Sequence, residues 1–168
     1  MSTELYDLTV PVFIRTLGIM SKFLEKGRTY AAEKGIVEAD FMNARLYEDM
    51  APLTAQIQRV SDTAKGFAVR VGGVENVAME DNETSFDELQ ARISKTIDFL
   101  KSVPREAVNG KEATPIVVKF GPTEMNFTGL NYAQGFALPN FYFHVTTAYA
   151  ILRSKGVPVG KQDYLGGL

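Results

Sequence analysis

The sequence predicts a mainly α-helical protein that folds as a four-helix bundle with a small β-hairpin before the last helix. Four segments carry apolar residues at steps of three and four, which is the spacing of one helix face. Between the third and fourth of these segments the spacing changes to two, which is typical of strands. With 168 residues, 45% of them hydrophobic, the chain is long enough to bury a core as one domain over 1–168.

The first helix is predicted to begin near Thr9, because Pro11 is tolerated only in a first turn. Its apolar stripe covers 10–24. A glycine inside a helix costs about 1 kcal/mol relative to alanine, so we expect close helix packing at Gly18. The stretch 27–49 is less regular and predicts a loop around Gly35.

The second and third helices have clear boundaries. The second has Pro52 in its first turn and ends at the glycine pair 72–73. The third begins with Ser85 and Glu88, a pair whose side chains can cap each other's backbone N–H groups. Charges four residues apart, such as Glu88 and Arg92, predict a solvated face of this helix.

The hairpin and the C-terminal tail complete the chain. Residues 116–120 and 125–128 alternate in polarity on either side of a Gly-Pro pair, which indicates two strands and a turn. The last helix ends near Arg153, and the glycine-containing tail 159–168 is predicted to be extended or frayed.

Composition excludes several classes of function. The net charge is −2, from 18 Lys and Arg against 20 Asp and Glu, so nucleic-acid binding through a basic field and anchoring to acidic membranes are disfavoured. Cysteine is absent, which excludes disulfides, thiolate metal sites and a cysteine nucleophile. The N-terminus lacks the pattern of a signal peptide, and no apolar stretch is long enough for a transmembrane span. We therefore expect a cytoplasmic protein.

The last helix carries the only histidine of the chain. On a helical wheel, His144 falls within the apolar face, with Asn140 and Thr147 on the same flank. Tyr142 and Tyr149 lie on the opposite side. Two explanations are open for these tyrosines: packing against the first helix or the hairpin, or a dimer interface.

The second helix has a matching polar edge. Asp49, Gln56 and Thr63 are spaced by seven residues along its buried stripe, whereas Lys65 is expected to point outward. If the second and last helices are neighbours, five polar side chains share one pocket. We predict a ligand pocket formed by Asp49, Gln56, Asn140, His144 and Thr147.

Two long runs of sequence resemble the DUF1993 family of uncharacterised proteins. They are EDMAPLTAQIQRVSDTAKG at 48–66 and FALPNFYFHVTTAYAILRSKGVPVGKQDYLG at 136–166. The N-terminal YDLTVPVFIRTLG and the central FDELQARISKTIDFL are also similar to that family. The resemblance covers nearly the whole chain and implies the fold of the DinB/YfiT-like superfamily of four-helix bundles.

That superfamily suggests a metal site and a possible activity. Many members bind a metal through three histidines, one on the second helix and a His-x-x-x-His pair on the fourth. Some act as metal-dependent thiol transferases or hydrolases, and dimers are common. By position, Asn140 and His144 would occupy the fourth-helix pair and Gln56 the second-helix position. Because amides are weak ligands, the resemblance implies a degenerate site, and we predict no metal or other cofactor.

Two functions remain open at the level of sequence. The first is a non-catalytic or small-ligand-binding bundle, most simply a homodimer, in which His144 is a buried histidine bonded to Asn140, Gln56 or a hairpin carbonyl. The alternative is a cryptic metal- or histidine-dependent hydrolase or transferase centred on His144. Only fold analogy supports the alternative, and fold does not imply function.

Overall fold

A computed structural model describes residues 3–167 of the chain. In chain order, the elements are α1 (Val10–Lys34), α2 (Glu38–Met42), α3 (Leu53–Gly72), α4 (Phe86–Lys101), α5 (Arg105–Val108), β1 (Pro115–Phe120), β2 (Thr123–Thr128), α6 (Gly129–Tyr132), a π-helical turn (Ala133–Ala137), α7 (Leu138–Ser154) and α8 (Lys161–Leu165).

The four long helices form the bundle, in the cyclic order α1, α4, α3 and α7. Aromatic rings join three of them: the Phe13 ring lies 5.7 Å from that of Phe67 and 4.8 Å from that of Phe141. Buried apolar side chains from all four helices and from β1 belong to one hydrophobic cluster. The predicted four-helix bundle with a hairpin before the last helix is confirmed.

Helix α1 is longer than its apolar stripe predicted. It continues to Lys34 and ends at Gly35, whose φ of 64° lies in the left-handed region that glycine adopts without strain. The close packing predicted at Gly18 was wrong, because nothing lies within 4 Å of a β-carbon placed there. The close approach is instead at Gly27, where a β-carbon would lie 3.0 Å from the Leu152 side chain.

The cap of α4 differs from the predicted reciprocal pair by one residue. The Glu88 backbone N–H donates to Ser85 Oγ at 3.2 Å, as expected. The Glu88 carboxylate accepts from the backbone N–H of Thr84 at 2.6 Å, one residue before the cap. Both donors at this helix start are therefore satisfied.

Arg92 on α4 is buried, so the predicted solvated face was wrong at this position. Its side chain is only 2% exposed, because the acidic loop 74–84 folds back over α4. Lys65 is also buried and donates to the Val77 carbonyl of the same loop. The Arg92 guanidinium forms ion pairs of 2.8–2.9 Å with three carboxylates, those of Asp62, Asp81 and Glu83.

The C-terminal tail was predicted to be extended or frayed, but it forms α8 and packs on α1. Asp163 pairs with Lys26 at 2.6 Å, and Arg15 Nη2 donates to the Leu165 carbonyl at 2.8 Å. The prediction failed because the tail has little periodicity of its own and is ordered by contacts with α1.

The outer face of α7 is partly covered by the same chain. The Tyr149 ring contacts those of Phe23 on α1 and Tyr164 on α8, at 6.2 and 5.7 Å. Tyr142 and Phe143 remain exposed, at 38% and 57%. Within 3–167, no helix has both the length and the apolar character needed to cross a bilayer.

Candidate functional site

The pairing of α3 with α7 positions the polar side chains of the site. Gln56 contacts His144, and Thr63, two turns further along α3, contacts Asn140, one turn earlier on α7. The two helices therefore run antiparallel, and their facing edges carry a line of polar contacts. His144 Nδ1 lies 2.7 Å from Gln56 Oε1, and the imidazole is only 7% exposed.

The Gln56 amide determines the tautomer of His144. Because Gln56 Nε2 donates to the Ala51 carbonyl at 2.8 Å, Gln56 Oε1 is the atom left to accept from His144. Nδ1 therefore carries the proton, and Nε2 is a hydrogen-bond acceptor. No described residue hydrogen-bonds Nε2. In the described part of the chain, the one buried side-chain nitrogen or oxygen that lacks a partner is Arg92 Nε. His144 Nε2 has no protein partner among the described residues and is not such a buried atom, so it keeps access to solvent.

The imidazole is neutral at pH 7. Burial, together with the positive charge of Arg59, lowers the pKa of His144 from 6.5 to about 4. The bond to a neutral amide oxygen rather than a carboxylate gives the imidazolium no compensating charge. His144 is therefore a fixed hydrogen-bonding group under ordinary conditions.

Asn140 and Thr63 form the next step of the polar line. Asn140 Nδ2 donates to Thr63 Oγ1 at 2.8 Å, and that hydroxyl donates to the Arg59 carbonyl at 2.6 Å. The Asn140 side chain is thus oriented by α3.

A cleft of about 360 Å³ opens beside this polar line. Helices α3 and α7 form two walls, residues from α6 and the π-helical turn close one end, and the hairpin contributes side chains from β1. We call it the α3–α7 cleft; it is lined by Arg59, Asp62, Thr63, Arg70, Val118, Lys119, Tyr132, Phe136, Asn140 and His144.

The predicted pocket residues do not all reach this cleft. His144 and Asn140 line it, and Gln56 lies behind His144 as its partner. Thr147 is buried one turn beyond His144 and donates to the Phe143 carbonyl of its own helix, outside the lining. Asp49 is exposed and also outside the lining, because it precedes the first residue of α3 and the seven-residue spacing does not extend to it.

Sequence reasoning missed the cations of the cleft. Their signal is a second stripe on α3 at steps of three and four, beside the apolar one. This stripe consists of Gln56, Arg59, Thr63, Gly66 and Arg70. Lys119, Tyr132 and Phe136 carry no comparable signal, since their place in the lining depends on how the hairpin and the π-helical turn fold over α3.

The residues present do not fit the three-ligand metal centre of the DinB/YfiT-like bundles. The three positions that the resemblance assigns to ligands, Gln56, Asn140 and His144, provide one imidazole and two amides. Gln56 Oε1 already accepts from His144, and Asn140 Nδ2 donates to Thr63. Among residues 3–167, no group of three His, Asp or Glu side chains is placed to hold an ion.

The bundle, the hairpin before α7 and the polar line between α3 and α7 define a DinB-like helical bundle. The solved structure of a DinB family member protein from Shewanella denitrificans superposes on this chain with a TM-score of 0.88. The two sequences are 36% identical over 98% of this chain and 93% of that one.

Within this class, the chain belongs to the DUF1993 family, a domain of unknown function. The family model matches residues 5–165, which include every element of the bundle. No curated protein matches the chain.

Proposed function

We propose that this protein is a non-catalytic, small-ligand-binding bundle and that the α3–α7 cleft is its binding site. One observation carries the proposal: His144 is buried, held by Gln56 through Nδ1, and lines a cleft with Nε2 still able to accept a hydrogen bond. A cleft of about 360 Å³ lies within the range of small-molecule sites.

The properties of His144 argue against catalysis. A general base is most effective when its pKa lies near the working pH, whereas burial lowers the pKa of His144 to about 4. The single carboxylate in the lining, Asp62, is held in an ion pair with Arg92 at 2.9 Å. No serine lines the cleft in the described part of the chain. The alternative, a hydrolase or transferase centred on His144, therefore has neither an unpaired carboxylate nor a serine in the described lining to act with the imidazole.

The domain organisation, the location and the oligomeric state of the protein are part of the proposed function. We propose that residues 1–168 form one domain, because a single hydrophobic cluster joins the long helices and β1. We also propose that the protein is a cytoplasmic homodimer. The exposed pair Tyr142 and Phe143 on α7 supports self-association, since neighbouring exposed aromatic side chains are typical of interface cores.

The proposed site is tested by blocking the cleft. Anilinonaphthalene sulfonate fluoresces when it enters an apolar site and is the dye we would use. We expect it to bind the wild-type protein with one-to-one stoichiometry. Asn140→Trp, which places a bulky ring in the lining, should abolish the signal.

The matched control is Arg153→Trp, at an exposed position of the same helix outside the lining, which should bind like wild type. Both variants must show the cooperative thermal transition of the parent, because the dye also binds partly unfolded protein. Equal binding by wild type and Asn140→Trp would place the dye elsewhere and contradict the proposed site.

A further inference from the structure

We infer that the ligand of the α3–α7 cleft is a small organic anion, with a carboxylate or a similar group attached to a planar apolar part. This inference rests on the proposed ligand-binding function and adds the chemical class of the ligand. It follows from the charges of the lining, from the aromatic wall and from the free acceptor of His144.

The lining has an excess of positive charge although the whole chain has a net charge of −2. Arg59, Arg70 and Lys119 all line the cleft, and no carboxylate of residues 3–167 lies within ion-pair distance of any of them. The single acid in the lining, Asp62, pairs with Arg92. Three cations without a carboxylate partner around one concave site attract an anion.

Each cation comes from a different part of the cleft. Arg59 and Arg70 are eleven residues apart on α3, which is about 16 Å along a helix axis. Lys119 comes from β1, where it is opposite Glu124 in the register but forms no ion pair with it in the described structure. The positive charge therefore comes from two points along the α3 wall and from the hairpin.

Arg70 is held in position by its neighbours. Its Nη1 donates to the Tyr132 hydroxyl at 3.1 Å, and its guanidinium carbon lies 5.9 Å from the centre of the Tyr132 ring. The guanidinium also lies over Gly66, where an added β-carbon would overlap Nη1. The glycine of the polar stripe thus leaves the space that the Arg70 head group occupies.

The wall beside Arg70 is aromatic. The rings of Tyr132 and Phe136 are stacked, with centroids 5.7 Å apart and an interplanar angle of 18°. Val118 of β1 lines the same cleft. Tyr132 is itself fully buried, so a flat apolar group contacts the half-buried Phe136 ring that stacks on it, and His144 Nε2 accepts from a hydroxyl or N–H of the ligand.

A polymeric anion is a poorer fit than a small molecule. The cleft holds about 360 Å³, which accommodates one ligand of modest size. Nucleic acid requires a basic surface that continues along several phosphates, and the net charge of −2 provides none. A small anion requires no such continuous surface.

The charge requirement is tested with two dyes that differ in one group. Anilinonaphthalene sulfonate carries the anion, and N-phenylnaphthylamine has the same rings and N–H but no charge. We expect the sulfonate to bind about tenfold more tightly. Arg70→Met and Lys119→Met should each weaken the sulfonate about three- to tenfold and weaken the neutral dye by a smaller factor.

Control variants separate the effect of a cation's position in the cleft from the effect of the net charge of the protein. Arg153→Met removes an exposed cation outside the lining and should bind both dyes like wild type. Gly66→Ala changes no charge but displaces Arg70, so it should weaken the sulfonate; Gly18→Ala, in open space on α1, should not. A loss in Arg153→Met equal to that in Arg70→Met would overturn the inference, because net charge alone would then explain binding.

The outcomes distinguish this inference from the proposed function. If Asn140→Trp blocks both dyes, but the two bind equally and the charge variants bind like wild type, the cleft remains a ligand site and the anion preference is wrong. If Asn140→Trp leaves the sulfonate bound, the proposed site fails together with the inference.

Discussion

His144 and Arg92 are both buried, but the surroundings disfavour the charged form of His144 and favour the charged form of Arg92. Burial alone would lower the pKa of Arg92, but its hydrogen bond with Glu83 and the charges of Glu83, Asp62 and Asp81 raise the pKa above its usual value. His144 has no such carboxylate and stays neutral. Arg92 is the centre of a cluster of ion pairs, whereas His144 is a neutral hydrogen-bonding group.

The stability of the protein should fall as the pH drops from about 6.5 to about 4. The folded protein lowers the pKa of His144 to about 4, so in this range the unfolded chain binds a proton that the folded protein excludes. The full difference corresponds to about 3 kcal/mol of unfolding free energy. Denaturant unfolding across this pH range measures it.

The control for this prediction is His144→Gln. It removes the only imidazole of the chain and keeps a side chain that can pair with Gln56, so the slope in this range should flatten to the contribution of the carboxylates. An unchanged slope would assign the effect to other groups. His144→Ala should lose about 1–3 kcal/mol, because Gln56 Oε1 loses its partner.

Arg92→Met should destabilise the protein by about 3–5 kcal/mol at pH 7. The Glu83 side chain is only 8% exposed and would lose its cation, while the Gln58 amide would still donate to it. The matched control is Arg28→Met, which breaks the exposed pair with Glu25 and should change stability little. A comparable loss in both variants, measured by denaturant unfolding, would contradict the role given to burial.

Among the elements, the short helix α8 packs on the outer side of both α1 and α7. Tyr164 contacts the Tyr149 ring, and its hydroxyl lies 2.8 Å from Thr146 Oγ1. Lys26 and Arg15 of α1 bind the same short helix. A five-residue helix is not stable alone, so these contacts order it.

Tyr164→Ala should lower the unfolding free energy by about 1–2 kcal/mol, because Tyr164 is half-buried against the core. It should also increase hydrogen exchange in α8. Tyr47→Ala removes a tyrosine that is 65% exposed and should change neither quantity. If both variants match wild type, α8 does not stabilise the bundle.

The whole molecule should form a homodimer through the outer face of α7. Phe143→Asp places a charge at an exposed aromatic position and should shift the protein from dimer to monomer in light scattering. Val37→Asp, at an exposed apolar position outside α7, should leave the dimer intact. A wild-type protein that is monomeric at high concentration would rule out this interface.

Local periodicity determined much of the architecture. The helical stripes predicted the four long helices, and the alternation after residue 114 predicted the hairpin. The same spacing placed Gln56 and His144 on buried edges of two helices, and the structure joins them. These features follow from residues one to four positions apart, which is the range over which a helix or strand sets side-chain direction.

Only the tertiary structure decided which polar side chains are buried and which line the cleft. Arg92 is buried because a distant acidic loop covers it, and Asp49 stays exposed because α3 begins after it. Lys119 and Tyr132 enter the cleft only because the hairpin and the chain after it fold over α3. Burial depends on which elements meet in space, and residues far apart in sequence establish those contacts without a local pattern.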